Sequence, residues 1–144
     1  MTTYPGDFEI KLGFDQIRAK LINYCLGELG AKEINQISFS SNHQAIEVLL
    51  RQCDEFKRII EKGEPFPINN YSDPSVYFEI IRIEDTFLEE ENIREVILVL
   101  QMVTGAYKVL IKGNEEYPEL FVLTKLVTLP TSLISSIEIG RAHV

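Results

Sequence analysis

The feature that most constrains this chain is a long apolar periodicity near its middle, over residues 89–112. Apolar residues recur there at steps of three and four, the spacing that places side chains on one face of an α-helix. That face consists of Ile93, Val96, Ile97, Leu100, Val103, Tyr107, Leu110 and Ile111. Further apolar residues flank it at Leu98, Val99, Met102 and Val109. The pattern predicts a long central helix that other parts of the protein cover over most of its circumference.

The charges at both ends of this stretch fit the dipole of a helix. Acidic residues occupy positions 89–91, and Lys108 and Lys112 lie in the last turn. The start leaves two possibilities open, because either Thr86 forms a capping box with Glu89 or Glu89 itself begins the helix. We predict a central helix from Glu89 to Lys112.

Length and composition fit one folded domain, since the 144 residues are 45% hydrophobic and 25% charged. The formal net charge of −8 disfavours direct contact with nucleic acid or anionic lipid, because such contacts need clustered Lys and Arg. The longest unbroken apolar run covers only residues 96–100, whereas a membrane-spanning helix needs about 20 residues. Since the two cysteines form no CxxC pair and no secretory leader is present, we expect a cytoplasmic protein without membrane contacts.

Glycines divide the first part of the chain. Residues 1–13 contain two glycines and a proline and are predicted to form a flexible lead-in. A first helix is predicted to follow from Phe14. Beyond Gly27 and Gly30 it either continues with a bend or gives way to a separate short helix.

The second helix carries a seam that resembles a heptad repeat. It is predicted to begin with a capping box of Ser41 and Gln44. Steps of three and four alternate along its apolar residues, which are Ile46, Leu49, Cys53, Phe56 and Ile60. Two prolines within residues 64–70 prevent the helix from continuing.

Prolines also mark the remaining helices. Asp73 and Pro74 are predicted to start a short third helix, with a stripe at Val76, Ile80 and Ile83. Pro118 is predicted to start a fifth helix with the inner face Leu120, Leu123, Leu126 and Val127. Pro130 would end it, and a last helix would occupy residues 131–138. No segment alternates as a strand does, so the fold class is all-α, an irregular helical bundle of about five to six helices around the central helix.

Residue types that carry chemistry are sparse. Cys25 and Cys53 lie on apolar helix faces and are interpreted as core residues. His43 is interpreted as a surface residue, because a metal site needs three or four converging ligands. Gly27 and Gly30 favour a helix bend over a loop that clamps RNA phosphates. We therefore expect no catalytic, cofactor-binding or metal-binding residues, and no enzymatic activity.

Four short sequence motifs occur in the same order as at the start of the type-two MutS proteins, which this chain therefore resembles. The first joins Leu12, Phe14, Asp15, Ile17 and Leu21 to Glu28-Leu29-Gly30. The others are Glu55 with Ile59 and Ile60, then Tyr71-Ser72-Asp73, then Phe87-Leu88. Together they cover about residues 10–138. The chain departs from the family's pattern where a proline is absent from residues 38–40 and where Glu89 and Glu90 replace a Ser or Pro, which affects helix boundaries.

The resemblance implies that residues 14–138 are the N-terminal core and lever region of such a protein, a non-catalytic scaffold. The intact parent would be an ATP-dependent DNA-binding protein, using ATP and Mg, that acts in DNA repair, recombination suppression or ribosome rescue. The partners of this region would be the remaining domains of the parent. DNA would be bound only through those domains, because this chain has no GxxxxGK[ST] phosphate loop.

Residues 139–144 depart from the family's pattern and equal the translation of a common sequencing adapter. We interpret them as a non-native tail, with a natural or vector-derived tail as the alternative. The chain would then be a fragment truncated before the DNA-embracing clamp and the P-loop ATPase that follow this region in the family it resembles. A different class of function also stays open. The chain would then be a stand-alone helical interaction or dimerisation module that forms a homodimer through its central helix.

Overall fold

The computed structural model describes residues 6–63, 65–130 and 132, and within them the protein is all-helical. The predicted fold class is therefore confirmed. The helices are α1 (Phe8–Lys11), α2 (Phe14–Asn23), α3 (Glu28–Gln36), α4 (His43–Glu61), α5 (Ser75–Ile80), α6 (Glu90–Lys112) and α7 (Pro118–Thr124). The structure thus has more helices than predicted, because the predicted lead-in contains α1 and the first helical region divides into α2 and α3.

The central helix α6 begins at Glu90, one residue later than predicted, with Glu89 as its N-cap. The Thr86 hydroxyl does not serve α6 as a cap. It donates instead to the carbonyl oxygens of Ile80 and Ile83, at 2.6 and 2.7 Å. Of the two predicted starts, the structure therefore selects the one without a capping box.

Protein covers α6 much less than predicted, since none of its residues is buried. Its main helical contact is with α7, which follows it after a turn at Gly113. On another side, Pro67 lies so close to Gly105 that a Cβ there would be 2.8 Å from the proline ring. The expectation of cover around most of the circumference was wrong, because apolar periodicity reveals a face but not how many neighbours reach it.

A small core lies where α4, α6 and α7 meet. Its buried hydrophobic residues are Ile59, Tyr117 and Leu120, with Phe56, Phe66 and Leu110 packed against them. The rings of Phe56 and Phe66 meet edge to face with centroids 5.0 Å apart, which is one of the geometries that aromatic pairs prefer. This junction fixes α7 and the end of α6 on the side of α4.

The N-terminal helices form a second packed region. The ring of Phe8 on α1 meets Phe39 edge to face at 5.7 Å. Glu9 and Arg18 tie α1 to α2 with a 3.1 Å ion pair. The residues predicted as a flexible lead-in thus include an ordered turn of helix from residue 8 onward.

Several predicted helix boundaries differ from the structure. Asn42, not a Ser41 capping box, caps α4, since its side-chain oxygen accepts from the Ala45 amide at 3.1 Å. Helix α7 starts at Pro118 as predicted but ends at Thr124, well before Pro130. The predicted last helix and the predicted tail lie outside the described residues, apart from Ser132.

Candidate functional site

The joint between α4 and α7 is organised by one buried acidic side chain. Glu55 is 3% exposed, and its two carboxylate oxygens accept from the backbone amides of Glu119 and Leu120, at 3.1 and 2.8 Å. The first amides of a helix have no partner within the helix and lie at the positive end of its dipole. Glu55 therefore caps α7 from a neighbouring helix and locks the two together.

Ionic contacts surround this joint on its exposed side. Arg51 pairs with Glu119 at 2.7 Å, and Lys62 pairs with Glu116. The hydrogen bond to Lys62 lowers the pKa of Glu116, and the same bond raises the pKa of Lys62. These contacts fix where the turn between α6 and α7 lies along α4.

The apolar seam that the sequence predicted on α4 is an open surface in the structure. We call its residues the α4 seam: Ile46, Leu49, Cys53, Phe56 and Ile60. Leu49 and Ile60 are each 61% exposed. The seam borders an open groove of about 640 Å³, whose inner wall is formed by Phe56 and Leu120. The residues share a helix face as predicted, but in the structure this face is largely uncovered.

A salt bridge ties α3 to the start of α5. Lys32 Nζ lies 2.6 Å from Asp73 Oδ2, and Asp73 Oδ1 accepts from the Ser75 amide at 3.0 Å. The bonds from Lys32 and Ser75 lower the pKa of Asp73 to about 2. The predicted start at Asp73 and Pro74 was wrong by one residue, because α5 begins at Ser75 with Pro74 as its N-cap. Asp73 nevertheless bonds to the first amide of the helix.

A concave apolar site, which we call the α6 cavity, lies between α3, residues 66–71 and α6. It has a volume of about 210 Å³, and the side chains that shape it include Leu29, Phe66, Tyr71, Val99, Met102 and Val103. Val99 and Met102 belong to the apolar residues that flank the predicted face of α6. They face this cavity, because residues 66–71 cross α6 on that side.

A smaller pocket of about 150 Å³, which has both polar and apolar lining residues and is here called the polar pocket, shares Tyr71 and Val99 with the α6 cavity. Its polar groups come from Asn70, Ser72 and Glu95. The Tyr77 hydroxyl donates to Glu95, and this bond raises the pKa of Tyr77. Apolar and polar surfaces therefore meet along one side of α6.

The residues weighed for chemistry are scattered. Cys25 is partly buried, but Cys53 is exposed, so the core interpretation of Cys53 was wrong. His43 is a surface residue as predicted, 3.1 Å from Glu47. Across the described part of the chain, no three His, Cys, Asp or Glu side chains converge as a metal site would require. None of the helices described there has the length and apolar character needed to cross a membrane.

The geometry of the joint was missed by sequence reasoning, although two signals point to it. Glu55 precedes Ile59 by one helical turn, so an acid shares a face with a buried residue. Pro118 marks a helix start whose free amides need acceptors. No family model, curated protein or solved structure matches this chain.

Proposed function

We propose that this chain is a non-catalytic helical scaffold whose apolar faces pack on further protein. The observation that carries the proposal is how many of its large apolar side chains are exposed and how few are buried. Among the described residues, 28 large hydrophobic side chains are exposed, against three in the buried core. Scattered exposed hydrophobic residues are ordinary, but contiguous apolar faces mark contact sites, and the α4 seam is such a face.

More specifically, we propose that the scaffold is the core and lever region of a type-two MutS protein. Helix α6 has 23 residues, which at 1.5 Å per residue extend about 35 Å. A helix of that length, packed on α7, which the Glu55 joint holds on α4, can carry a displacement from one end to the other. In the intact parent, this motion would connect an ATPase with a DNA clamp.

Two of the four motifs that carry the resemblance contain residues at joints of this structure. Glu55 and Ile59 are both buried between α4 and its neighbours. Asp73 forms the tie between α3 and α5. Residues that hold helices together are those a scaffold needs, and this coincidence supports the resemblance without depending on a ligand site.

The experiment that tests the scaffold proposal is a pair of binding titrations with the full chain. Fluorescence anisotropy with labelled duplex and branched DNA, and with a fluorescent ATP analogue plus Mg²⁺, should show no saturable change at moderate salt. The reasons are the net charge of −8 and the missing phosphate loop. Submicromolar binding of either ligand would overturn the proposal, since this region would then bind DNA or nucleotide directly.

A second candidate function is a stand-alone dimerisation module. The exposed α4 seam favours this function, with the seam as the dimer interface where the sequence had suggested the central helix. The seam is exposed on the surface, whereas α6 already contacts α7 and residues 66–71. Under this alternative the chain forms a discrete dimer with a defined dissociation constant. Under the scaffold proposal, self-association of the isolated chain is weak and has no fixed stoichiometry.

A further inference from the structure

The α6 cavity and its adjoining polar pocket form a site with two chemically different parts. One part is lined by apolar side chains and has a volume of about 210 Å³. An apolar cavity of about 150 Å³ can stay dry and bind benzene, so this one has room for a single ring with a short side chain. The polar pocket shares two lining residues with it, Tyr71 and Val99.

Two residues that line the α6 cavity, Pro67 and Tyr71, pack closely on glycine backbone. Tyr71 lies against Gly27, where a Cβ would be 2.6 Å from its ring. Pro67 lies against Gly105, where a Cβ would be 2.8 Å from the proline ring. Real Cβ atoms do not approach neighbours so closely, so both walls already touch backbone. These contacts fix the positions of two of the side chains that shape the cavity.

The polar pocket gives the site a preferred charge. Glu95 supplies its carboxylate, and among the described residues no Lys, Arg or His pairs with it. The Tyr77 hydroxyl, which donates to Glu95, is a neutral partner. A half-buried carboxylate without a cation attracts a positively charged hydrogen-bond donor more strongly than a neutral one.

From this geometry we propose that the combined site binds a small organic amine, with an apolar ring or short alkyl body in the α6 cavity and the ammonium group beside Glu95. Binding sites of this kind are commonly apolar with a few placed polar groups that orient the ligand. The Asn70 amide and Ser72 hydroxyl line the same pocket and can accept from the remaining ammonium protons. The apolar part contributes affinity, and Glu95 makes the site prefer a cationic ligand over a neutral or anionic one.

The test compares three probes of similar shape by calorimetry on the full chain: 2-phenylethylamine, ethylbenzene and 3-phenylpropionate. The amine should bind more tightly than ethylbenzene by roughly threefold to tenfold, as a partly exposed charge pair contributes. The carboxylate should bind most weakly because it lies beside Glu95. Equal affinity for the amine and the carboxylate, or no saturable binding of the amine, would overturn the proposal.

Variants separate the two parts of the site. Ala106 also lines the α6 cavity. Ala106→Leu fills the cavity and should abolish binding of both the amine and ethylbenzene; Val103→Phe serves the same purpose if the first variant loses its helical circular dichroism. Glu95→Gln should retain ethylbenzene binding and remove the preference for the amine. Glu91→Gln, one turn earlier on the exposed part of α6, is the matched control and should change nothing. Unchanged amine binding in both filled variants, or equal effects of the two Glu variants, would refute the assigned site.

Discussion

Replacing Glu55 tests the joint that holds α7 on α4. In Glu55→Ala, two backbone amides of α7 lose a charged acceptor in a region where Glu55 itself is 3% exposed. Hydrogen bonds to charged groups contribute about 1.5–3 kcal/mol each, and loss of a helix cap costs about 0.5–2 kcal/mol. Because water can reach part of the exposed end of α7, we expect a loss of about 3 kcal/mol in the free energy of unfolding.

The assay is urea denaturation followed by circular dichroism, with two comparison variants. Glu55→Gln keeps one acceptor oxygen and should lose about half as much stability. Asp54→Ala removes the adjacent acid, which is 67% exposed and pairs only with Arg58 at 3.3 Å among the described residues, so it should cost less than about 1 kcal/mol. Hydrogen exchange at the Leu120 amide should accelerate in the Ala variant. A loss below about 0.5 kcal/mol for Glu55→Ala, within the range of ordinary surface changes, would refute the role assigned to this joint.

Three further predictions address other parts of the structure. The pKa of Asp73 falls from 3.8 to about 2 on folding, so its contribution to stability is complete above pH 4 and disappears as the pH falls towards 2; Asp73→Asn should flatten that part of an acid titration followed by circular dichroism. The hydrogen bond to Asp73 raises the pKa of Lys32 above 10.5 in the folded protein, so the stability that this bond contributes is lost only as the pH rises beyond 10.5. An alkaline titration in which Lys32→Met unfolds at the same pH as the wild type would contradict this contribution. Gly27→Ala should lower the unfolding free energy by about 1–3 kcal/mol through its clash with Tyr71, whereas Gly6→Ala, with open space around it, should not, and equal urea midpoints would argue against the close contact.

The helices that sequence reasoning located correctly are those with strong local signals. The start of α7 follows from the fixed backbone angle of Pro118, and α6 follows from sustained periodicity with acids at one end and Lys112 at the other. Such signals act within a few residues of the chain. They do not depend on which other elements lie nearby.

The faces that become buried were predicted less well, because burial depends on distant parts of the chain. The periodicity of α4 favoured the α4 seam as its inner face. In the structure the adjacent face, with Glu55 and Ile59, turns towards α7 instead. Burying a carboxylate is unfavourable unless hydrogen-bond donors meet it. For Glu55 those donors are the free amides of α7, which lie more than 60 residues away in the sequence.

The candidate site was unpredictable for a related reason. Tyr71 and Val99 come from separate segments, and the α6 cavity exists only because residues 66–71 cross α6. The close approach depends on Gly27 and Gly105, which the sequence alone marks only as weak points in helices. Glycine in a helical pattern can indicate a neighbouring wall as well as a bend.

The α4 seam provides the most direct test of the claim that this chain is a scaffold whose apolar faces pack on further protein. Sedimentation velocity over a wide concentration range should show the wild-type chain associating as its concentration rises, because uncovered apolar area favours contact by about 25 cal/mol per Å² before entropic costs. The double variant Leu49→Lys and Ile60→Lys, at two positions that are each 61% exposed, should sediment as a monomer with unchanged helical circular dichroism. A wild-type chain that stays monomeric at every concentration, or a double variant that unfolds, would contradict the account, since the α4 seam would then be either inert surface or internal core.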